Sequence, residues 1–176
     1  MEGQGVVAIS LPVWIFEKWS AIEWICDVWA TGPIYLNKAA KANSSFEKMK
    51  HVITFVISSA YGVVDMRKPF NPIIGETFEG YWPDRTWIYL EHISHHPPIS
   101  SFLVENPGVY WLYGSLEYKG KMGDFGNSVS GGIVGNTYIE FADGSRFVYD
   151  LAPIVIAGLI YGKRLVHFTG GINFLE

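Results

Sequence analysis

The hydrophobic and polar positions of the chain form two different patterns, and the change lies near Thr77. Between residues 20 and 61, apolar side chains recur every three or four positions, which predicts amphipathic helices. After Thr77, short runs rich in β-branched and aromatic residues alternate with glycine, proline, asparagine and aspartate, which predicts strands joined by turns. The sequence therefore predicts helices followed by a sheet.

The first helix is predicted to begin at Ser20, whose hydroxyl suits the capping position. Ile22, Ile25 and Trp29 then recur at helical spacing until Gly32-Pro33, which predicts the end of the helix. This spacing is typical of core packing, and an aromatic face that touches a membrane is the alternative.

The second helix is predicted to begin at Ser44, because Glu47 follows three residues later and completes a capping box. Its apolar residues recur on one side, which is the side expected to be buried. They are Phe46, Met49, Ile53, Val56, Ile57 and Ala60.

The second part of the chain predicts closely spaced strands connected by tight turns, one of them at Lys119-Gly120. Such connections favour an antiparallel meander, so the predicted fold class is α+β, mostly antiparallel, with helices packed on a barrel or curved sheet. The predicted strands span residues 77–82, 86–93, 99–105, 109–118, 128–134, 137–141, 146–151, 154–157 and 164–169.

Several of these strands are apolar on both faces, for instance 110–113 and 154–157. Such a strand needs cover on one side and an apolar interior on the other. A hollow barrel that holds a lipid and an ordinary filled core both satisfy this requirement.

The composition bounds the classes of function. With 176 residues, 49% hydrophobic and 17% charged, the chain is expected to form one globular domain. A net charge of −4 argues against nucleic acid as a partner. The single cysteine, Cys26, fits a reducing compartment, and no apolar run reaches the 18 to 20 or so residues of a spanning helix, so a soluble protein is expected.

Two short blocks concentrate the polar chemistry: Lys68-Pro-Phe-Asn-Pro-Ile-Ile-Gly-Glu76 and Glu91-His-Ile-Ser-His-His-Pro-Pro98. Prolines keep both blocks out of helices, and Gly75 permits a backbone conformation that other residues resist. An ammonium group, an amide and two imidazoles make an anion site, for which phosphate is the natural ligand. Zinc has no further ligand at suitable spacing, and no motif of a nucleophilic enzyme occurs, although Glu76 and Glu91 leave acid–base chemistry as a remote alternative.

These two blocks, in this order, resemble the signature of the oxysterol-binding protein family of lipid transfer proteins. The resemblance extends from about Leu11 to the end of the chain, and it departs from the family at His92, where glutamine is usual. It favours the hollow interior over the filled one. It also implies a single lipid-binding domain over residues 1–176, which is the N-terminal and barrel portion of the family domain.

The resemblance implies a non-enzymatic carrier of sterol or phosphatidylinositol 4-phosphate, with no metal and no cofactor other than the lipid ligand. At the matching positions, Lys68, Asn71, His95 and His96 would contact the phosphates of the lipid headgroup. The expected partners are lipids and membrane surfaces, touched peripherally from the cytoplasm.

The family domain is longer than this chain, and the part that would follow Glu176 normally closes the barrel. The chain is therefore expected to be a fragment of a carrier, a short form completed by a partner chain, or a structural subunit that keeps the fold without transporting lipid. The sequence leaves these three alternatives open.

Overall fold

The computed structural model of the chain describes residues 16–64 and 68–175, and within these residues three helices precede most of the strands. The helices are α1 (Ala21–Val28), α2 (Gly32–Ala40) and α3 (Ser45–Val64). The strands are β1 (Phe16–Ser20), β2 (Lys68–Phe70), β3 (Thr77–Tyr81), β4 (Trp87–His95), β5 (Pro98–Asn106), β6 (Tyr110–Gly123), β7 (Ser128–Val134), β8 (Thr137–Phe141), β9 (Arg146–Tyr149), β10 (Ile154–Ala157), β11 (Leu165–Phe168) and β12 (Phe174–Leu175).

The first predicted helix is confirmed as α1. The Ser20 hydroxyl accepts a hydrogen bond from the backbone N–H of Glu23 at 3.5 Å, which caps the helix as expected. Ile22, Ile25 and Trp29 are buried in the core, and the Trp29 ring lies 4.7 Å from that of Phe102 on the sheet. The spacing of these three residues therefore marks core packing.

A helix absent from the sequence prediction, α2, begins where Gly32-Pro33 was expected only to end α1. Proline suits the first turn of a helix, because its missing N–H has no intrahelical partner there and its fixed φ is helical. The same dipeptide therefore ends one helix and begins the next. Leu36 and Ala39 of α2 are fully buried.

The predicted start of α3 is confirmed, since the Ser44 hydroxyl accepts from the N–H of Glu47 at 3.2 Å. The predicted buried side is wrong in part, because Phe46 and Ile57 are 69% and 60% exposed. The face that packs against the core instead carries Lys48, Val52, Phe55, Val56 and Ser59.

Lys48 explains why a polar residue lies on that face. Its ammonium group forms an ion pair with Asp143 and donates a hydrogen bond to the Ser145 hydroxyl at 2.7 Å. Both partners belong to the turn between β8 and β9, so this buried lysine fastens α3 to the sheet. The ammonium also lies 4.7 Å from the centre of the Phe141 ring.

The predicted fold class is confirmed: the described residues form a ten-stranded sheet whose pairings are all antiparallel, with the helices against it. Its main order is β11-β10-β7-β6-β5-β4-β3. Within the described part of the chain β3 and β11 do not pair with each other, so the sheet is open. β1 and β2, which the pattern did not predict, pair in parallel apart from it.

Strand β6 is the longest of the sheet and has 14 residues. Along one edge it pairs with β5; along the other, residues 110–114 pair with β8 and residues 117–123 pair with β7. The turn predicted at Lys119-Gly120 is therefore wrong, since β6 continues to Gly123. The backbones of β6 and β7 approach each other closely here, since a Cβ on Gly131 of β7 would lie 2.4 Å from the carbonyl oxygen of Lys119. Glycine is suited to such a close approach inside a strand, and in the sequence analysis it was mistaken for a turn signal.

Three hairpin connections lie at one end of the sheet, which we call the histidine end. The register pairs His95 with Pro98 across β4 and β5, and Ile99 with Glu117 across β5 and β6. From there β6 runs on to Gly123, and the connections 124–127 and 158–164 follow at the same end. The histidine end is thus formed by the β4–β5, β6–β7 and β10–β11 connections.

Within the described ranges, none of the helices has both the length and the apolar character needed to cross a bilayer.

Candidate functional site

The loop of the first polar block is hydrogen-bonded to the strand of the second. The backbone N–H of Gly75 donates to the carbonyl of His92, and the N–H of His92 donates to the carbonyl of Glu76, both at 2.9 Å. Gly75 has φ +77°, as its expected conformational role requires. The two blocks, which are separated by strand β3 and its turn, therefore meet at the histidine end.

The Glu76 side chain stiffens this loop. Its carboxylate accepts a hydrogen bond from the N–H of Ile73 at 2.9 Å, while its own N–H donates to the Ile73 carbonyl at 2.9 Å. The carboxylate is thus committed to the loop backbone. This contact gives Glu76 a structural role in the loop.

His95 and His96 lie side by side at the end of β4. Their ring centres are 4.9 Å apart with the planes at 71°, so the edge of one ring faces the other. His95 is half-buried and His96 is exposed. Strand β4 ends at His95, so neighbouring residues that would point to opposite faces of a regular strand can approach each other here.

A third histidine, His92, lies beneath this pair and is 1% exposed. Its Nδ1 is 3.0 Å from the hydroxyl of Ser100 on β5, and its Nε2 is 3.3 Å from Nδ1 of His95. A hydrogen-bonded line therefore runs from the buried Ser100 through His92 to the half-buried His95. We call these three residues the histidine relay.

The relay can carry its protons in two arrangements, because a hydroxyl both donates and accepts. In one, Ser100 donates to His92 Nδ1 and His92 Nε2–H donates to His95, which is then neutral with its proton on Nε2. In the other, the Nδ1–H of His95 donates to His92, which donates to Ser100. His95 presents an Nε2–H group in the first arrangement, and in the second only when its ring also carries a proton on Nε2.

The surroundings of His92 disfavour its charged form. Burial lowers the pKa of the His92 imidazole below its ordinary value of 6.5, His95 lowers it further, and the Glu76 carboxylate opposes both. On β6, Tyr118 lies beside Ser100, and burial raises the pKa of the Tyr118 hydroxyl. Tyr118 Oη is a buried oxygen for which the described residues offer no hydrogen bond of ordinary geometry.

The lowered pKa of His92 makes stability depend on pH in a defined direction. The folded protein binds fewer protons at His92 than the unfolded chain, so the contribution of His92 is full above pH 6.5 and is lost as pH falls below it. We expect His92→Gln, which has no titratable group, to lose less unfolding free energy than the wild type between about pH 7.5 and about pH 5.5. Urea unfolding of both proteins at each pH measures the difference, and equal losses would contradict the expectation.

The structure brings some of the predicted site residues together. His95 and His96 are in contact, and Asn71 is exposed at the start of the loop that is bonded to His92. The backbone of Lys68 begins β2, which leads into this loop, while its side chain lies outside the described part of the structure.

His92 is the site residue that the sequence analysis did not assign. The signal was present, because Ile88, Leu90 and His92 alternate as the inward positions of β4, with 0%, 3% and 1% exposure. A histidine in an inward register position requires a polar partner inside the sheet. That partner is Ser100, on the next strand.

No metal centre is formed by these residues. Among residues 16–64 and 68–175, no group of three or more histidine, cysteine, aspartate or glutamate side chains has a geometry that could hold a metal ion. At His92 both ring nitrogens already face hydrogen-bond partners.

The described residues thus form helices packed on an open antiparallel sheet, with a cluster of histidines at one end. The family model described as "Oxysterol-binding protein" matches residues 1–176, and the chain belongs to this family.

Individual relatives agree with this assignment. Oxysterol-binding protein 9 of Dictyostelium discoideum is 39% identical over 177 residues, covering 100% of this chain and 41% of the relative. Oxysterol-binding protein-related protein 8 of Homo sapiens is 30% identical over 179 residues, covering 97% of this chain and 20% of the relative. The chain thus spans well under half the length of these relatives.

Two solved structures have the same fold. The Osh1 ORD domain in complex with ergosterol superposes with a TM-score of 0.87 at 28% identity, over 98% of this chain and 42% of that one. The Osh3 ORD of Saccharomyces cerevisiae in complex with PI(4)P superposes with a TM-score of 0.81 at 26% identity, over 94% of this chain and 44% of that one.

Proposed function

We propose that this chain is the N-terminal and barrel portion, over residues 1–176, of a non-enzymatic module that binds lipids and transfers them between membranes. The proposed ligands are sterol and phosphatidylinositol 4-phosphate, held in an apolar interior with the phosphorylated headgroup at the histidine end. The observation that carries the proposal is the adjacent pair His95 and His96, exposed or half-exposed at the rim of a sheet whose fold matches domains solved with ergosterol and with PI(4)P.

The proposed headgroup site consists of Lys68, Asn71, His95 and His96. Lysine acts on phosphate as a mobile point charge, asparagine donates through its amide, and each histidine donates through a ring nitrogen. His92 is proposed as a positioning residue, which holds His95 so that its Nε2–H faces the phosphate.

The energies of these contacts show what the interior must add. A hydrogen bond to a charged group contributes about 1.5 to 3 kcal/mol net, so four contacts contribute on the order of 6 to 10 kcal/mol before ordering costs. Micromolar binding requires about 8 kcal/mol. Burial of acyl methylenes, at about 0.8 kcal/mol each, would supply the remainder in a covered interior.

A second candidate function is a structural subunit that keeps the fold without carrying lipid. The open sheet favours it, because the edge strands β3 and β11 present backbone groups to which another chain can add a strand. A partner chain that completes the barrel is compatible with both candidates.

Lipid extraction distinguishes the two candidates. A carrier removes labelled phosphatidylinositol 4-phosphate from liposomes, releases it when sterol is supplied, and copurifies with lipid in near-stoichiometric amount by mass spectrometry. A structural subunit does none of these three things. Recovery of the extracted lipid chemically unchanged distinguishes a carrier from a hydrolase.

Cytoplasmic location and peripheral contact with membranes belong to the same proposal. Fractionation of cells that express the tagged chain, with and without a salt wash of the membranes, tests both properties.

A further inference from the structure

Two hairpin tips at the histidine end expose apolar side chains next to each other. They are the β6–β7 connection at 124–127 and the β10–β11 connection at 158–164. The exposed side chains are Met122, Phe125, Leu159, Ile160 and Tyr161, which we call the tip cluster.

Asn127 fastens the two tips together. Its side-chain oxygen accepts hydrogen bonds from the backbone N–H groups of Ile160 and Tyr161, both at 3.0 Å, and its carbonyl accepts from the N–H of Leu159 at 3.0 Å. A Cβ on Gly126 would lie 3.5 Å from Ile160 Cδ1 and 3.7 Å from the Met122 sulfur, so these side chains converge on the same point. The tip cluster is therefore one surface rather than two separate loops.

The Phe125 side chain is exposed, and its backbone conformation is unfavourable for phenylalanine. Its backbone has φ +52° and ψ +34°, the left-handed region that bulky residues avoid, and its ring is fully exposed. None of the described residues covers the ring, so it contributes no packing among them. Strain of this kind, where it persists, points to a task outside the fold.

The tips also differ in charge from the rest of the chain. Residues 117–127 and 158–168 contain four lysines and arginines and two acidic residues, a net +2, in a chain whose net charge is −4. The remaining residues therefore carry −6. Lys121, Lys163 and Arg164 are exposed beside the tip cluster, while Lys119 is paired with Glu117 at 3.2 Å.

We propose that the tip cluster is a membrane-docking surface, which inserts Phe125 and Ile160 between the headgroups of an anionic lipid surface. Apolar side chains beside cations are the combination that binds the boundary of an anionic bilayer. The register places this surface at the same end of the sheet as His95 and His96. Docking would therefore bring the histidine end toward the bilayer.

Cosedimentation with vesicles tests this proposal independently of lipid extraction. The full chain should bind phosphatidylcholine vesicles that contain about 30 mol% phosphatidylserine, and bind pure phosphatidylcholine more weakly. Phe125→Asn with Ile160→Ser should weaken binding at least about tenfold, since asparagine accepts the left-handed backbone while the apolar anchors are lost. Lys163→Ala with Arg164→Ala should weaken binding about tenfold at low salt and reduce its salt dependence.

Phe46→Asn is the matched control, because Phe46 is also an exposed phenylalanine but lies on α3. It should bind as the wild type does, and thermal unfolding should confirm that every variant is folded. The proposal is overturned if the Phe125 and Ile160 variant binds like the wild type, if Phe46→Asn weakens binding equally, or if sedimentation shows that the tips join two copies of the chain without vesicle binding. Attachment should persist in a variant that lacks His95 and His96, so failure of the lipid-carrier proposal leaves this test intact.

Discussion

Replacing His95 and His96 together by alanine should abolish the extraction of phosphatidylinositol 4-phosphate from liposomes. Each ring is expected to donate a charge-assisted hydrogen bond worth about 1.5 to 3 kcal/mol, so loss of both weakens capture by roughly 10² to 10⁴-fold. The two alanines lie at the rim, where one ring is exposed and the other half-buried, so the fold should persist. Fluorescent phosphatidylinositol 4-phosphate, transferred from labelled to unlabelled liposomes, measures the effect.

His51→Ala is the matched control for this pair, since it removes a histidine on α3, away from the proposed site. It should extract lipid at the rate of the wild type. The single variants His95→Ala and His96→Ala should each show an intermediate loss. Undiminished extraction by the double variant would reject the assignment of these residues to the headgroup site.

Replacing His92 by leucine should weaken capture about tenfold, although His92 itself would not touch the lipid. Leucine fills a similar volume but leaves Ser100 Oγ and His95 Nδ1 without the partners that they have in the relay. A buried polar group without a partner costs about 1 to 3 kcal/mol, and His95 would escape this cost by turning away from the phosphate. Titration with short-chain phosphatidylinositol 4-phosphate, followed by calorimetry, measures the affinity.

His92→Gln provides the decisive comparison. The amide of glutamine can donate to His95 and accept from Ser100, as the neutral imidazole does. We therefore expect near-normal affinity in the glutamine variant and reduced affinity in the leucine variant, and circular dichroism should show that both variants are folded. If glutamine reduces affinity as much as leucine does, His92 contributes shape alone and the relay has no role in positioning His95.

Much of the fold could be predicted from the sequence because local signals agreed with tertiary packing. The strands 128–134, 137–141 and 154–157 have the predicted bounds, since turn residues delimit them on both sides. The start of α3 followed from its capping box. Prediction failed where one signal had two meanings, as at Gly32-Pro33, which both ends and begins a helix.

The buried face of α3 shows a second limit. Hydrophobic spacing favoured Phe46 and Ile57, but these two are exposed, and the buried side of α3 includes Lys48, which forms an ion pair with Asp143. The partner lies 95 residues away in sequence, so no local pattern could reveal it.

The sequence predicted which residues belong to the candidate site better than it predicted the contacts between them. The two polar blocks identified His95 and His96, whose side-by-side contact the structure shows. The relay beneath them depends on pairing between β4 and β5, which places Ser100 opposite His92. Register across strands, rather than residue type, decides such contacts.

The division of β6 between two neighbouring strands predicts that two parts of the sheet differ in local stability. The first half of β6 pairs with β8, which in turn pairs with β9, and most inward side chains of β8 and β9 are buried. The second half pairs with β7, which in turn is joined to β10 and β11, and almost no side chain of these three strands is buried. Amide protons of the second group should exchange with solvent through local opening that leaves the first group closed. The part of the sheet formed by β7, β10 and β11 is thus expected to open locally while the shared strand β6 remains paired with β8.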